Sequence, residues 1–207
     1  MPPRLSAVPT AVPQPAEVFD DLDEVTFARA KNGDQAAQAA LVNRYKRPVF
    51  ALLWRMVGPD RVLVEDLSQD TFLRVFRALR NFEHDGRARL ITWILTIASR
   101  LAIDHLRAGR PREQEALAGF CPLALSRPDQ DADRKALARA LGNAVESLGP
   151  SFRAAFLLRE VHGLSYEEIA AALNIDLGTV KSRLSRARAL LQAALADVHD
   201  EVHHGRA

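Results

Sequence analysis

The tightest constraint on this chain lies in residues 165–188. Ser165-Tyr166-Glu167-Glu168 has the S-x-x-E form of a capping box. In such a box a hydroxyl and a glutamate three residues later satisfy two of the N–H groups that a helix start leaves unpaired. Ile169, Ala170 and Leu173 then share one face of a helix that begins at Tyr166. Asn174 tolerates the left-handed backbone of a tight turn. Asp176 is placed to cap a second helix, whose inner face holds Val180, Leu184 and Ala187. Small Ala170 lets the two helices approach, and the pattern predicts a helix-turn-helix. The outer face of the second helix holds Thr179, Lys181, Ser182, Arg183, Arg186 and Arg188, and Gly178 to Arg188 contain four basic and no acidic residues. Arginine pairs with guanine edges in the major groove, while serine, threonine and lysine suit phosphates. A helical hairpin with a merely solvated basic face is the competing reading. It explains the charge but not the box and turn beside it.

The rest of the chain also reads as helix, because alternating strand patterns bounded by Gly, Asn or Asp turns are missing. A short helix over 24–31 ends at Asn32-Gly33. Asp34 caps a long helix to about Val57 with Pro48 inside it, which predicts a kink. Gly58-Pro59 stops that helix and Asp60 caps the next, whose stripe is Val64, Leu67, Thr71, Val75 and Leu79. A loop from Asn81 to Arg89 precedes a helix over about 90–106, with Trp93, Ile97, Leu101 and Asp104 in register. Further helices are expected over about 133–147, from Pro150 to a stop at Gly163, and from Asp176 to about 196. The expected fold is all-α: two small helical domains over 24–108 and 134–196, joined by a flexible linker over 109–133. An N-terminal tail over 1–23 and a C-terminal tail over 197–207 flank them. The first tail carries five of the eleven prolines, and the linker three prolines and two glycines. A 25-residue linker reaches at most about 80–90 Å, so the placement of the two domains is left open.

Charge follows the same division. The chain carries +2 overall, but residues 24–108 hold 14 basic against 9 acidic residues and 134–196 hold 9 against 5. Residues 1–23, 109–133 and 197–207 are each net acidic. Two cationic modules on an acidic string suit a polyanion partner, although two ordinary solvated domains would share the numbers. The single cysteine, Cys121, allows no internal disulfide and argues for a reducing compartment. No apolar run of transmembrane length is present, and the N-terminus lacks the pattern of a signal peptide. A cytoplasmic protein without membrane insertion is expected.

At this point the sequence resembles a known family. Ser165 to Ala170 followed by Gly178 to Arg183 is similar to region 4 of the extracytoplasmic-function (ECF) sigma factors. Glu65 to Val75 resembles the family's core-polymerase-binding helix. Thr92-Trp93-Ile94, Ile97-Ala98 and Asp104 to Arg107 resemble its region 2 promoter-reading helix. The resemblance implies a dissociable RNA polymerase subunit, with no cofactor and no catalysis of its own. Region 2 would bind the β′ clamp helices of core RNA polymerase through Glu65, Asp66, Gln69, Asp70 and Phe72. It would capture the minus-ten element through Phe82, His84, Asp85, Arg87, Arg89, Arg100, Asp104 and Arg107. Region 4 would rest on the β flap and read the minus-thirty-five element through Ser165, Tyr166, Thr179, Lys181, Ser182, Arg183, Arg186 and Arg188. Many members are held inactive by an anti-sigma factor, and the resemblance implies that class of partner without locating its surface.

The residue chemistry fits these roles. Asp66 and Asp70 lie one turn apart with Gln69 beside them, an acidic patch suited to a basic protein partner. Acid–base catalysis and a solvated helix face are the other readings of that pair. The polar loop from Asn81 to Arg87 could hold unstacked bases, with arginine on the backbone. Phe82 reads equally as core, and Trp93 reads as core. Two features depart from the family pattern: the loop from Phe82 to Gly86 is longer, and Arg100 stands where asparagine is usual. His199 and His203 are one helical turn apart, as metal ligands can be, but read better as a frayed tail. A conventional helix-turn-helix regulator, with a sensing or dimerising first domain, is the alternative function. An enzyme is remote, since no nucleophile motif or phosphate loop occurs.

Overall fold

The computed structural model describes residues 22–82, 89–108 and 132–204. The described residues form α1 (Glu24–Lys31), α2 (Gln35–Val57), α3 (Arg61–Ala78), a 3-10 turn (Leu79–Asn81), α4 (Leu90–Ala108), α5 (Ala132–Ser147), α6 (Pro150–Glu160), α7 (Tyr166–Leu173) and α8 (Leu177–His204). No strand occurs among them.

Four aspartates cap helix starts: Asp34, Asp60 and Asp176 as their positions predict, and Asp23, which the sequence reading did not single out. Asp23 accepts from the Thr26 N–H at 2.8 Å, Asp34 from Ala37 at 2.9 Å, Asp60 from Leu63 at 3.1 Å and Asp176 from Thr179 at 2.7 Å. These caps satisfy otherwise orphaned donors at the positive helix end. The Ala37 N–H, and then the Arg29 guanidinium at 2.8 Å, hold the Asp34 carboxyl below the usual carboxylate range. Gly58 closes α2 at φ 89°, a conformation that suits glycine. Pro48 is buried within α2, which continues through it.

Two parts of the sequence reading need correction. Helix α8 runs to His204, beyond the expected stop near 196. Its Ala- and Leu-rich stretch meets no Gly or Pro before Gly205, so nothing in the sequence breaks it. His199 and His203 thus lie within a helix. In α4 the register Trp93–Ile97–Leu101–Asp104 is not the buried stripe. Asp104 is exposed, and Trp93 and Ile97 are half-buried. The buried set is Leu90, Ile91, Ile94, Leu95, Ala98, Leu101, Ala102 and Ile103. The reason is that α4 is covered from two sides: by α2 and α3, and by α6 and α7.

That double cover unites the molecule. Helices α1 to α4 form a first lobe around Leu41, Tyr45, Leu52, Leu53, Val75 and Ile94. Helices α5 to α8 form a second, with Ala144, Leu148, Ala187 and Leu191 packed at its α5–α8 face. Leu158, Leu164, Ile169, Val180 and Leu184 of the second lobe belong to the same continuous core as the first. The placement that the sequence left open is therefore a packed seam.

A buried arginine pins one end of the seam. Arg153 on α6 is 4% exposed. It donates to the Met56 carbonyl near the end of α2, and to the Glu146 and Leu148 carbonyls where α5 ends. One guanidinium thus satisfies orphan carbonyls from both lobes, an arrangement its forked donors allow. His162, in the turn after α6, has a buried Nε2 with no partner. Burial, and then the Arg55 guanidinium of α2, push its pKa from 6.5 to about 4.

Two outcomes follow from the seam. Arg153→Met leaves two buried carbonyls and one part-buried one without their donor and is expected to cost about 3 kcal/mol. Circular dichroism should record a fall in Tm of roughly 6–12 °C for a chain of this size. An unchanged Tm would show that the guanidinium does not hold the seam. For His162 the unfolded chain binds a proton that the folded chain refuses, between pH 6.5 and 4. The associated stability is complete above the unfolded value and is lost as pH falls toward the folded one, roughly 3 kcal/mol in all. Urea midpoints at pH 7.5 and pH 5 should differ more for the native chain than for His162→Gln.

Candidate functional site

Three surfaces carry the residues singled out in the sequence. The first is the outer face of α3. Glu65, Asp66, Gln69 and Asp70 are all exposed there, and Arg61 Nε pairs with Glu65 Oε1 at 2.8 Å. Phe72 behaves differently: it is 6% exposed and forms part of the floor of a groove between α2 and α3. This groove, about 940 Å³, is walled by Phe50, Trp54, Phe72, Leu73 and Phe76 and bordered by Lys46, Arg47, Glu65 and Gln69. The Phe50 and Trp54 rings stack with centroids 5.9 Å apart. Leu73 is 44% exposed beside them. The sequence reading missed this apolar surface. Its signal was present: Phe50 and Trp54, like Phe72 and Phe76, are aromatic pairs four residues apart, and all but Phe72 are incompletely buried.

The second surface is α4 and the turn before it. Phe82 resolves to the core reading: it is 8% exposed, with Trp93 at 4.7 Å and Phe27 at 6.0 Å between ring centroids. Buried in this way, it offers no platform to a base. Arg89 and Asp104 are exposed. Arg100 and Arg107 are exposed as residues but engage the second lobe. Arg100 donates from Nε to the Ala172 carbonyl at 2.8 Å and from Nη2 to Ala171 at 3.1 Å. Arg107 Nη2 donates to Ser151 Oγ at 3.1 Å. His84, Asp85 and Arg87 lie outside the described residues.

The third surface is the α7–α8 pair. Its local geometry is the one the sequence predicts. Ser165 Oγ accepts from the Glu168 N–H at 3.1 Å, and Glu168 Oε2 accepts from the Ser165 N–H at 2.7 Å, completing the capping box. Asn174 closes α7 at φ 52° and ψ 55°. Ile169, Val180 and Leu184 are fully buried between the helices. On the outer face Lys181, Ser182 and Arg186 are exposed. The other candidates are engaged within the fold. Thr179 bonds the Asp176 cap, and Tyr166 lies under the Arg159 guanidinium at 5.1 Å. Arg188 pairs with Glu160 at 2.7 Å. Arg183 is half-buried, and burial, then the nearby Arg107 charge, lower its pKa against the opposing pull of Asp176.

The arrangement therefore offers an exposed cationic helix face on the second lobe and, on the first, an apolar groove bordered by Lys46, Arg47, Arg55 and Glu65 beside the acidic outer face of α3. Comparison with known proteins assigns the chain to a family. The model for Sigma-70 region 2 matches residues 41–112, and that for Sigma-70 region 4 matches residues 138–191. The ECF RNA polymerase sigma factor SigE of Mycolicibacterium smegmatis is 38% identical over 170 residues, covering 79% of this chain; the chain spans 65% of that protein's length. The RNA polymerase sigma-H factor of Pseudomonas aeruginosa is 31% identical over 183 residues, covering 84% of this chain and 93% of the relative. The ECF RNA polymerase sigma-E factor of Escherichia coli is 36% identical over 176 residues, covering 80% and 90%. Among solved structures, CnrH in complex with the cytosolic domain of CnrY superposes with a TM-score of 0.59 at 26% identity, covering 84% of this chain and 96% of that one. The sigma factor RpoE of Bartonella quintana, solved with the anti-sigma factor NepR, shares the fold with a TM-score of 0.58 over 76% and 96% of the two chains. With both sigma regions present in order, on an all-helical frame shared with these proteins, the chain belongs to the ECF sigma factors.

Proposed function

We propose that this chain recruits core RNA polymerase through its first lobe and reads promoter DNA with both lobes, leaving the covalent chemistry to the polymerase. Residues 24–108 act as region 2 and 134–196 as region 4; residues 109–133, the last two already in α5, tether them, and 1–23 and 197–207, the latter carrying the end of α8, flank them. The observation that carries this reading is the pairing, in one chain, of the aromatic groove on α2–α3 with the exposed cations on α8. Apolar area of that kind supplies association energy to a protein partner, and the adjoining outer face of α3, with Glu65, Asp66, Gln69 and Asp70, favours a basic one. The β′ clamp helices fill that role, with Phe72 contributing through the groove floor.

On the second lobe Lys181, Ser182 and Arg186 face the major groove of the minus-thirty-five element, with Thr179, Arg183 and Arg188 beside them and the α7 start, Ser165 and Tyr166, at the backbone. The same lobe rests on the β flap. On the first lobe Arg89, Arg100, Asp104 and Arg107, with the His84, Asp85 and Arg87 loop, meet the minus-ten strand. An anti-sigma partner, of the class solved with the Bartonella quintana sigma factor, belongs to the same reading, as does action in the cytoplasm.

Runoff transcription with core polymerase on genomic promoter fragments is the direct test. Discrete start sites are expected only when this chain is added, and their absence without any inhibitor present would sink the reading. Asp66→Arg should weaken core-enzyme capture roughly tenfold through charge reversal at the interface, with Tm unchanged. Normal capture by that variant would remove the α3 rim from the interface. Arg186→Ala should weaken minus-thirty-five recognition by about 1–3 kcal/mol, the worth of one good base contact. Start-site usage identical to the native chain would exclude Arg186 from base reading.

A further inference from the structure

Helix α1 carries none of the residues assigned to the binding surfaces, yet it holds the root of the segment that meets the minus-ten strand in the proposed function. Phe82 follows the 3-10 turn, with its N–H bonded to the Leu79 carbonyl at 3.1 Å, and leaves that turn extended at φ −76° and ψ 119°. Its ring is fixed on two sides. Trp93, one turn into α4, lies at 4.7 Å and Phe27 of α1 makes a T-shaped contact at 6.0 Å between centroids. The Phe82 carbonyl is fixed separately. Lys31, in the last turn of α1, donates to it from Nζ at 2.8 Å, across 51 residues of chain. The same Nζ lies 5.6 Å from the centroid of Phe27, so one ring packs Phe82 and steadies the cation that bonds it. The negative end of α1 favours a cation at this position as well.

We propose that Lys31 is a positioning residue for minus-ten capture, acting through Phe82: by holding the Phe82 carbonyl it fixes the direction in which residues 83–88 leave the frame. The proposal rests on the reading of His84, Asp85 and Arg87 as minus-ten contacts. A peptide unit is planar, so a bond to the Phe82 carbonyl sets the plane that leads into the next residue. Ring packing alone leaves that plane free to turn about the Cα–C bond. Order present before the strand arrives lowers the entropic cost of binding it. Phe82, too buried to stack on a base, thereby has a role in strand capture through its backbone. The ammonium has two further donors, so a direct phosphate contact by Lys31 is the rival that an experiment must separate.

Holoenzyme assembled from the full chain and core polymerase provides that experiment. Two single-stranded oligonucleotides are compared: one carries the non-template minus-ten sequence of a promoter mapped by runoff transcription, the other the same bases scrambled. Lys31→Met keeps the stem and removes the donor. It is expected to weaken binding of the specific strand about tenfold, as for one lost charge-assisted hydrogen bond, and to leave the scrambled strand unchanged. Core capture, minus-thirty-five recognition and the salt dependence of strand binding should match the native chain. Lys31→Arg, a cation long enough to reach the same carbonyl, should recover most of the discrimination. Phe27→Leu should lower it by a smaller factor. Native discrimination in Lys31→Met would overturn the proposal. Weaker binding of both strands, with a salt slope smaller by about one, would make Lys31 a phosphate contact instead. Core capture lost in step with strand binding would make it a merely structural residue, which equally refutes positioning. Absence of runoff product from the native chain would count against the sigma-factor reading itself.

Discussion

Helix α4 carries more apolar surface than one lobe can cover, and the rest of the structure answers to that fact. Leu90, Ile91, Ile94, Leu95, Ala98, Leu101, Ala102 and Ile103 are all buried, a set too broad for a single stripe. Burying an aliphatic side chain contributes about 1.5–3 kcal/mol, so a face left uncovered on α4 is a strong attractor. Helices α2 and α3 take one side, and α6 and α7 the other. The helix proposed to read DNA is therefore also the central beam of the protein. Its charged positions are confined to edges, where Arg100, Asp104 and Arg107 emerge.

The polar groups at the seam follow from that packing. Once α6 and α7 lie on α4, helix ends from different lobes come together and bring orphan carbonyls with them. Arg153 answers those of Met56, Glu146 and Leu148, and Arg100 those of Ala171 and Ala172. The two differ in burial, and this sets their consequences. Arg153 is enclosed, so removing it strands buried acceptors. Arg100 is exposed to solvent, and its bonds can be exchanged for others at small net cost.

Much of the candidate site was legible in the residues. The capping box, the Asn174 turn and the inner face of Val180 and Leu184 depend on neighbours within a few positions, and local rules predicted each. The acidic rim of α3 was legible for the same reason, since Asp66, Gln69 and Asp70 lie on the face opposite Val64, Leu67 and Val75. The groove was not. Phe50 and Trp54 come from α2, Phe72 and Phe76 from α3, and only the crossing of those helices turns four aromatic side chains into one surface. Phe82 had two readings in the sequence. The approach of Trp93 and Phe27 gave it to the core.

By itself the sequence determined the helices, their caps and the charge carried on each face, because these are set by residues one to four positions apart. It determined the family as well, because the motifs are local strings in a fixed order. Tertiary structure alone decided how the lobes meet. A 25-residue tether permits many placements, and the choice among them falls to the complementary burial of α4 against α6 and α7. The same packing decided which arginines stand in solvent and which are held. Lys181 and Arg186 point outward, while Arg100 and Arg107 are bonded across the seam. No periodicity along the chain distinguishes these, since the partners of Arg100 lie more than seventy residues away.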